Sequence, residues 1–370
     1  MSLEHYNQIK GRYLSYSNIC GYLQSLPSEF NVSVIGHSEK NEKIFKVAFG
    51  NGPTKILMWS QMHGNESTTT KAVFDLIEKI RKEATTIFFE NLCIHIIPVL
   101  NPDGLKAYTR VNANQVDLNR DAQQLSQVES QILKDTYTSI SPNFCFNLHD
   151  QRTIFGTEGF NKPATLSFLA PAFNEAREVN SQRLKAMQII AGIYKELSED
   201  LPGGIGRYDD TFNLDCIGDT LMYKGIPTVL FEAGHFPNDY ARELTRGFVF
   251  SALWKGLSLI NDNSFKNFTE KNYFAIPKNE KQFFDLVIEN LELQSESYKI
   301  GIQYEERLMD REIHFIPIIA EIGLKLSRKG LKVICAKQLK LSVLDEKLLK
   351  VGEELKYLNG TSGLFSLNLT

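Results

Sequence analysis

At 370 residues the chain exceeds one typical domain, and 42% hydrophobic with 23% charged residues suits a globular protein that buries a large core. A net charge of −3 and a pI near 6.2 exclude the broad basic surface that nucleic acid or an anionic membrane would require, so neither is an expected partner. Cys20, Cys93, Cys145, Cys216 and Cys335 are odd in number and scattered, with no CxxC pair, which makes a poor disulfide framework and a poor thiolate zinc site. They read as small buried hydrophobes in a reducing compartment. The polar start MSLEHYNQIKGRY lacks the apolar segment of a secretion signal, and no run approaches the roughly 18 apolar residues of a membrane span. A cytoplasmic protein is expected, a leader removed ahead of Met1-Ser2-Leu3 being the alternative.

In chain order, LSYSNICGYLQSL (14–26) has helical spacing and ends at Pro27. Three strand-like runs follow, NVSVIGH, KIFKVAF and KILMWSQM, with Asn51-Gly52-Pro53 turning into the third. Ala72, Val73, Leu76, Ile77 and Ile80 predict a helix over 69–82. LCIHIIPVL, FCFNLH (144–149) and PTVLFEA (227–233) are short apolar runs suited to buried strands, and 172–199 reads as a long helix. Alternating strands and helices imply an α/β domain with helices on both faces of the sheet, over residues 1–262. After that, NDNSFKNFTEKNYFAIPKNE is polar and turn-rich, as a linker would be. The runs DLVIENLEL, YKIGIQY, LKVICAKQLKLS and LFSLNL, with a short helix near 344–356, predict a small β-rich domain over 263–370.

Four features carry chemistry. His63-Gly64-Asn65-Glu66 sits between a strand and a helix, at the strand end where open α/β sheets build their sites. One imidazole and one carboxylate at this spacing converge on a single ion, and zinc accepts both. Alone, HxxE is common, and the plainer reading is a turn histidine beside a helix-starting glutamate with Asn65 as cap. Three further features alter that balance. Asn101-Pro-Asp-Gly is followed by Arg110 and by Val116-Asp-Leu-Asn-Arg120; Asn147-Leu-His149-Asp150 closes a strand; and Leu230-Phe-Glu232-Ala-Gly234 closes another. Asp150 is a candidate acceptor for the second nitrogen of His149, and Glu232 a candidate general base. His5, His37, His95 and His314 have no partner motif and read as ordinary surface or core residues. His235, close behind Glu232, reads as a core residue or as a lining residue of the site.

Together these residues resemble the zinc carboxypeptidases of the carboxypeptidase A type, over roughly residues 10–260. The resemblance implies a three-layer αβα fold with a mixed central sheet and one Zn2+ held by His63, Glu66 and His149. It implies hydrolysis of a C-terminal peptide bond with Glu232 as the base, Arg110 stabilising the oxyanion, and Asn119 and Arg120 holding the substrate's free carboxylate. The family's mobile-loop tyrosine falls nearest Tyr208, in GGIGRYDDTFN, with an ordinary loop aromatic as the alternative; Gly203, Gly204 and Gly206 would permit loop motion. Ile217, with Asp219 two residues on, lies near the expected specificity pocket, which leaves apolar or basic terminal side chains open. The chain also resembles, more distantly, the succinylglutamate desuccinylase and aspartoacylase deacylases, whose substrates are N-acyl amino acids. A non-catalytic binding module is the third reading.

Overall fold

In a computed structural model, the described residues are 9–83, 89–293, 296–344, 349–361 and 363–369. They form two compact units, Met1–Gln151 with Ala164–Asn279, and Arg152–Pro163 with Glu280–Thr370. The division thus falls at 279/280, where the sequence pattern suggested 262/263. Residues 263–279 are packed chain: Phe265, Tyr273 and Ile276 bury in the first unit's core, and Thr269 and Asn272 form a capping box. The polar residues between these three anchors gave the segment its linker-like composition.

The chain runs α1 (Tyr16–Ser25), β1 (Val32–His37), β2 (Lys43–Phe49), β3 (Thr54–Trp59), α2 (Thr68–Glu83), β4 (Leu92–Ile97), α3 (Pro102–Ala107), α4 (Val128–Ile140) and β5 (Phe144–Asp150). It continues through β6 (Phe155–Thr157), β7 (Leu166–Leu169), α5 (Ser181–Leu197), β8 (Ile205–Arg207), α6 (Ile217–Tyr223), β9 (Thr228–Ala233), α7 (Glu243–Asn261) and α8 (Glu270–Phe274). The eight-stranded sheet of the first unit has the order β1-β2-β4-β3-β5-β9-β7-β8. Its centre, β4-β3-β5-β9, is parallel; β1 and β2 run antiparallel to their neighbours, and β7 is antiparallel to β9 and parallel to the edge strand β8. Successive residues of a strand enter different cores, as the pleat requires. Ile56, Met58, Phe146 and Leu148 pack with Phe74, Ile77, Ile190 and Leu253 of α2, α5 and α7. Leu57, Trp59 and Cys145 pack with Leu133 and Tyr137 of α4 and Ile217 and Leu221 of α6. This is the three-layer arrangement with a mixed sheet implied by the sequence.

The helix expected over 172–199 begins only at Ser181. Asn180 caps it by accepting from the backbone N–H groups of Gln182 (3.1 Å) and Arg183 (2.8 Å), and Arg177 before it stands at φ +54°. Among the described residues no helix is long and apolar enough to cross a membrane, and the five cysteines are free.

From β10 (Asn279–Lys281), which begins at the division, the chain continues through β11 (Phe283–Leu293), β12 (Glu296–Met309), β13 (Glu312–Gly323), β14 (Lys329–Cys335), the short α9 (Ala336–Leu339), β15 (Tyr357–Gly360) and β16 (Gly363–Ser366), so the second unit, which also holds β6, is β-rich. Its main sheet has the order β13-β12-β11-β14. The sequence pattern did not single out β13, which contains Pro317; the strand lies at the sheet edge, where proline is tolerated. LKVICAKQLKLS divides into β14 and α9. The described residues of 344–356 contain no helix, and 345–348 lie outside the described residues.

Candidate active site

His63 and Glu66 sit on the connection from β3 to α2. Gly64 is obligatory there: a Cβ would fall 1.9 Å from the carbonyl carbon of Gly104. Asn101, fully buried, anchors this close approach. Its Nδ2 donates to Met62 O (3.1 Å), and its Oδ1 accepts from Gly104 N (2.8 Å), capping α3. The Asn-Pro-Asp-Gly motif therefore fixes the loop that carries HxxE. His149 and Glu232 come from β5 and β9, adjacent strands on which they are direct register partners. Strand order alone brings the ends of β3, β5 and β9 side by side.

His63, Glu66 and His149 are all buried, and one ligand atom from each lies within 4.8 Å of the others. Glu66 Oε1 is 2.8 Å from His63 Nδ1, Glu66 Oε2 is 2.9 Å from His149 Nδ1, and the two Nδ1 atoms are 3.1 Å apart. Asp150 N donates to Glu66 Oε2 at 3.1 Å. Two imidazole nitrogens facing each other across one buried carboxylate have no arrangement of protons that serves every contact. A cation accepted by all three donors does serve them, and two imidazoles with one carboxylate is a donor set that zinc takes. Burial disfavours the Glu66 charge, but the two histidines outweigh it and hold the carboxyl well below its usual range.

Asp117 is the residue whose role the sequence left unread. His63 Nε2 lies 3.0 Å from its Oδ1, which fixes the ring that presents Nδ1 to the site. Asp117 Oδ2 accepts from Arg110 Nε (3.0 Å), and Asp117 also accepts from Asn119 N (2.9 Å). Burial works against its charge, but His63 and then Arg110 hold the carboxyl well below its normal range. We expect Asp117→Asn to weaken metal affinity about 10–100-fold with the fold intact. A competitive chelator titration reads this directly, and wild-type affinity in the variant would refute it.

The acceptor role considered for Asp150 is not realised. Its carboxylate caps α2, accepting from Thr68 N (2.9 Å) and Thr69 N (3.2 Å), and pairs with Arg12 and Arg242, each at 3.6 Å. His149 Nε2 is buried and has no hydrogen-bond partner among the described residues. Donors from a helix start and two guanidinium groups compete better for this carboxylate than one neutral imidazole would.

Arg110 reaches the ligand cluster, with Nη1 3.4 Å from Glu66 Oε1 and about half of its side chain exposed. Asn119 Oδ1 accepts from Ile217 N (3.1 Å), and Arg120 Nη1 donates to Asn119 O (2.7 Å) and lies 3.1 Å from Cys216 Sγ. This pair is thereby fixed against the start of α6. Glu232 Oε2 is buried and has no hydrogen-bond partner among the described residues; burial, then Glu66 and Asp150, push its carboxyl well above the usual range. Tyr208 directly follows β8 and donates its backbone N–H to Phe168 O (2.9 Å). Burial, then the charges of Glu232 and Glu66, hold its phenol in the neutral form. Gly206 lies within edge strand β8, and a Cβ there would come 2.9 Å from Asn279 Oδ1, so packing explains this glycine. His235 is buried, with its ring 4.8 Å from that of Tyr240.

Ile217 is part of the second core cluster, and Asp219 is buried behind it. Burial pushes Asp219 up to about 7, against the Asn213 N–H and the charges of Arg183 and Arg120. The folded form therefore holds its proton more tightly than the unfolded chain, where the value is near 3.9. The resulting stabilisation is complete below about pH 4 and is lost as pH rises through about 7. Asp219→Asn should be more stable than wild type by roughly 2–4 kcal/mol at pH 8, with the gap closing towards pH 4. Thermal melts across that range test it, and parallel pH profiles would contradict it.

A sequence profile of the zinc carboxypeptidase family matches residues 17–152. The probable carboxypeptidase 2 of Arthroderma benhamiae is 27% identical over 100 residues, 26% of this chain and 19% of that protein. The chain thus spans about a fifth of the length of the curated relatives it matches first. Among solved structures, the carboxypeptidase A of Helicoverpa armigera aligns with a TM-score of 0.55 at 18% identity, over 68% of this chain and 74% of that one. A metallo-carboxypeptidase from Burkholderia cenocepacia aligns with a TM-score of 0.54 at 16% identity, over 68% and 69%. Across residues 17–152 the chain carries the sequence pattern of the zinc carboxypeptidase family, and over about two thirds of its length its fold is that of the metallo-carboxypeptidases.

Proposed function

We propose that the chain is a zinc metallocarboxypeptidase that hydrolyses the C-terminal peptide bond of peptides. The observation that carries this reading is the meeting of the buried His63–Glu66–His149 cluster with an unpartnered, buried carboxylate oxygen of Glu232 on the neighbouring strand. Zinc held by that cluster supplies Lewis acidity towards the scissile carbonyl and lowers the pKa of a water. Glu232 takes a proton from the attacking water and returns it to the leaving amine. Its raised proton affinity suits both transfers. Arg110, tethered through Asp117 and partly exposed, offers its guanidinium to the oxyanion. Asn119 and Arg120 receive the substrate's terminal carboxylate, for which a guanidinium fork is well matched. Tyr208, neutral beside Glu232, is a hydrogen-bond donor within the same site.

The rival reading is a deacylase of N-acyl amino acids, which would use the same cluster and the same anion clamp. Zinc-loaded protein offered both an N-blocked dipeptide with a free C-terminus and N-acetyl or N-succinyl amino acids separates the two. The peptide should show a kcat/KM at least about tenfold higher, a modest demand on differential transition-state binding. Preferred turnover of the acyl amino acids would overturn the carboxypeptidase reading, and no turnover of either class would leave only a binding module.

A further inference from the structure

The second unit carries a charge asymmetry that the proposed reaction does not use. Residues 322–344 contain Lys325, Arg328, Lys329, Lys332, Lys337 and Lys340 and no acidic residue, in a chain whose net charge is −3. These cations lie on the connection from β13 to β14, on β14 itself, and on α9 and its C-terminal flank. β14 is an edge strand: in the order β13-β12-β11-β14 it pairs with β11 on one side, and no strand of the described residues pairs with its other side. Its outer backbone groups are therefore open to another extended chain.

Beside this edge lies a groove of about 420 Å³. Leu286, Ile288 and Ile334 point into the unit's core, so the pleat turns Val287 and its register partner Val333 to the opposite face, where they line the groove with Gly330. β13 and β14 are opposite edges of the sheet, so residues 324–328 cross from one side to the other, and Leu324, Lys325 and Arg328 form a wall of the groove. The crossing is anchored. Glu321 accepts from Ser327 N (2.8 Å) and from Ser327 Oγ, while Arg328 donates to Phe283 O (3.2 Å) and lies over the Phe284 ring at 3.9 Å. Leu324 and Val333 are 61% and 53% exposed, and Lys325, Lys329 and Lys332 are exposed between them. Lys299, which also lines the groove, is paired with Glu289 at 2.5 Å, whereas Lys325 and Lys332 have no ion-pair partner among the described residues.

We propose that the β14 edge and its groove dock an extended acidic peptide segment with apolar residues among its carboxylates. β14 extends roughly 20 Å, at about 3.3 Å per residue, so its cations are spread too far for one small anion. Carboxylates spaced along a chain meet them in turn. Exposed Leu324 and Val333 between those cations are matched by apolar side chains between the carboxylates. The open edge supplies main-chain hydrogen bonds, the mode by which a peptide adds a strand to a sheet. Lysines on an edge strand discourage pairing with copies of that strand, because like charges then face each other. An acidic strand reverses the sign, and the same lysines then select it. Every residue this surface uses lies in the second unit, so it stands apart from the carboxypeptidase reading.

The test uses the full chain and a fluorescent peptide of about twelve residues repeating Glu-Glu-Val-Val, which passes along β14 with both kinds of side chain on each face. Acetylated and amidated ends keep it from being a carboxypeptidase substrate. Wild type should bind it at least about tenfold more tightly than a version with Ser for Val, roughly the worth of one buried valine. A version with Lys for Glu should not bind. Methylating alternate backbone nitrogens of the peptide should cost about tenfold or more, because several ladder donors are lost together. Lys325→Glu combined with Lys332→Glu should weaken binding about tenfold or more through like-charge contact. Neither lysine is ion-paired, so the double variant should melt within about 2 °C of wild type. If it melts lower, raising salt from about 50 to 300 mM gives a second reading in wild type, where affinity should fall at least about threefold. No binding at about 1 mM peptide, equal binding of the Ser version, or affinity unchanged by both the charge reversals and salt would overturn the assignment. Tighter binding of anionic vesicles or of an oligonucleotide than of the peptide would overturn it as well.

Discussion

Glu232→Gln is expected to keep its metal and to lose turnover by about 10³-fold or more, within the range general acid–base groups supply. The substitution preserves volume and removes only basicity and charge. KM should change little, since the proton transfers belong to the chemical step. A second readout guards against loss of fold. In the metal-free protein, burial and the neighbouring Glu66 and Asp150 make an ionised Glu232 unfavourable. Its folded carboxyl holds a proton more tightly than in the unfolded chain, so stability is lost as pH rises through the folded value. Without metal, the variant should therefore melt higher than wild type at pH 8. An inactive protein that is also more stable cannot owe its inactivity to unfolding. Retained turnover would remove Glu232 from the role of base.

The second large effect concerns the metal. His63→Ala removes one of three donors and should weaken zinc binding by several kcal/mol, about 10²–10⁴-fold, given that complete structural zinc sites supply about 10–16 kcal/mol. Zinc at 100 times its dissociation constant stabilises the folded state by about 2.7 kcal/mol. Adding it should raise the wild-type melting temperature by about 5 °C, on the entropy scaling for a unit of this size. His63→Ala should show almost none of that rise, and His149→Ala should behave alike. Unchanged metal content in His63→Ala would dismiss the cluster as a metal site.

The parts of this site legible in the sequence are those fixed by local order along the chain. HxxE, His149 and Glu232 each terminate an apolar run, and a strand end is a position that hydrophobic patterning locates well. Roles decided through space were not legible. Asp117 stands 54 residues from His63, and nothing in Val116-Asp-Leu-Asn-Arg120 says which of its polar groups turns towards the ring. Asp150, adjacent to His149, looked like its partner, yet strand alternation points it to the opposite face, where α2 and two arginines meet it. Residues 263–279 have a linker-like composition because their three buried anchors are diluted by polar neighbours.

The strand order β4-β3-β5-β9 has a bearing on how the chain folds. His63 and Glu66 are three residues apart, but His63 and His149 are 86 apart and meet only when β5 docks beside β3. Parallel pairing at such separation closes long loops before any contact rewards it, and topologies of this kind fold slowly. During refolding, secondary structure should therefore form well ahead of the complete ligand set, and tight metal uptake would mark the arrival of the central strands.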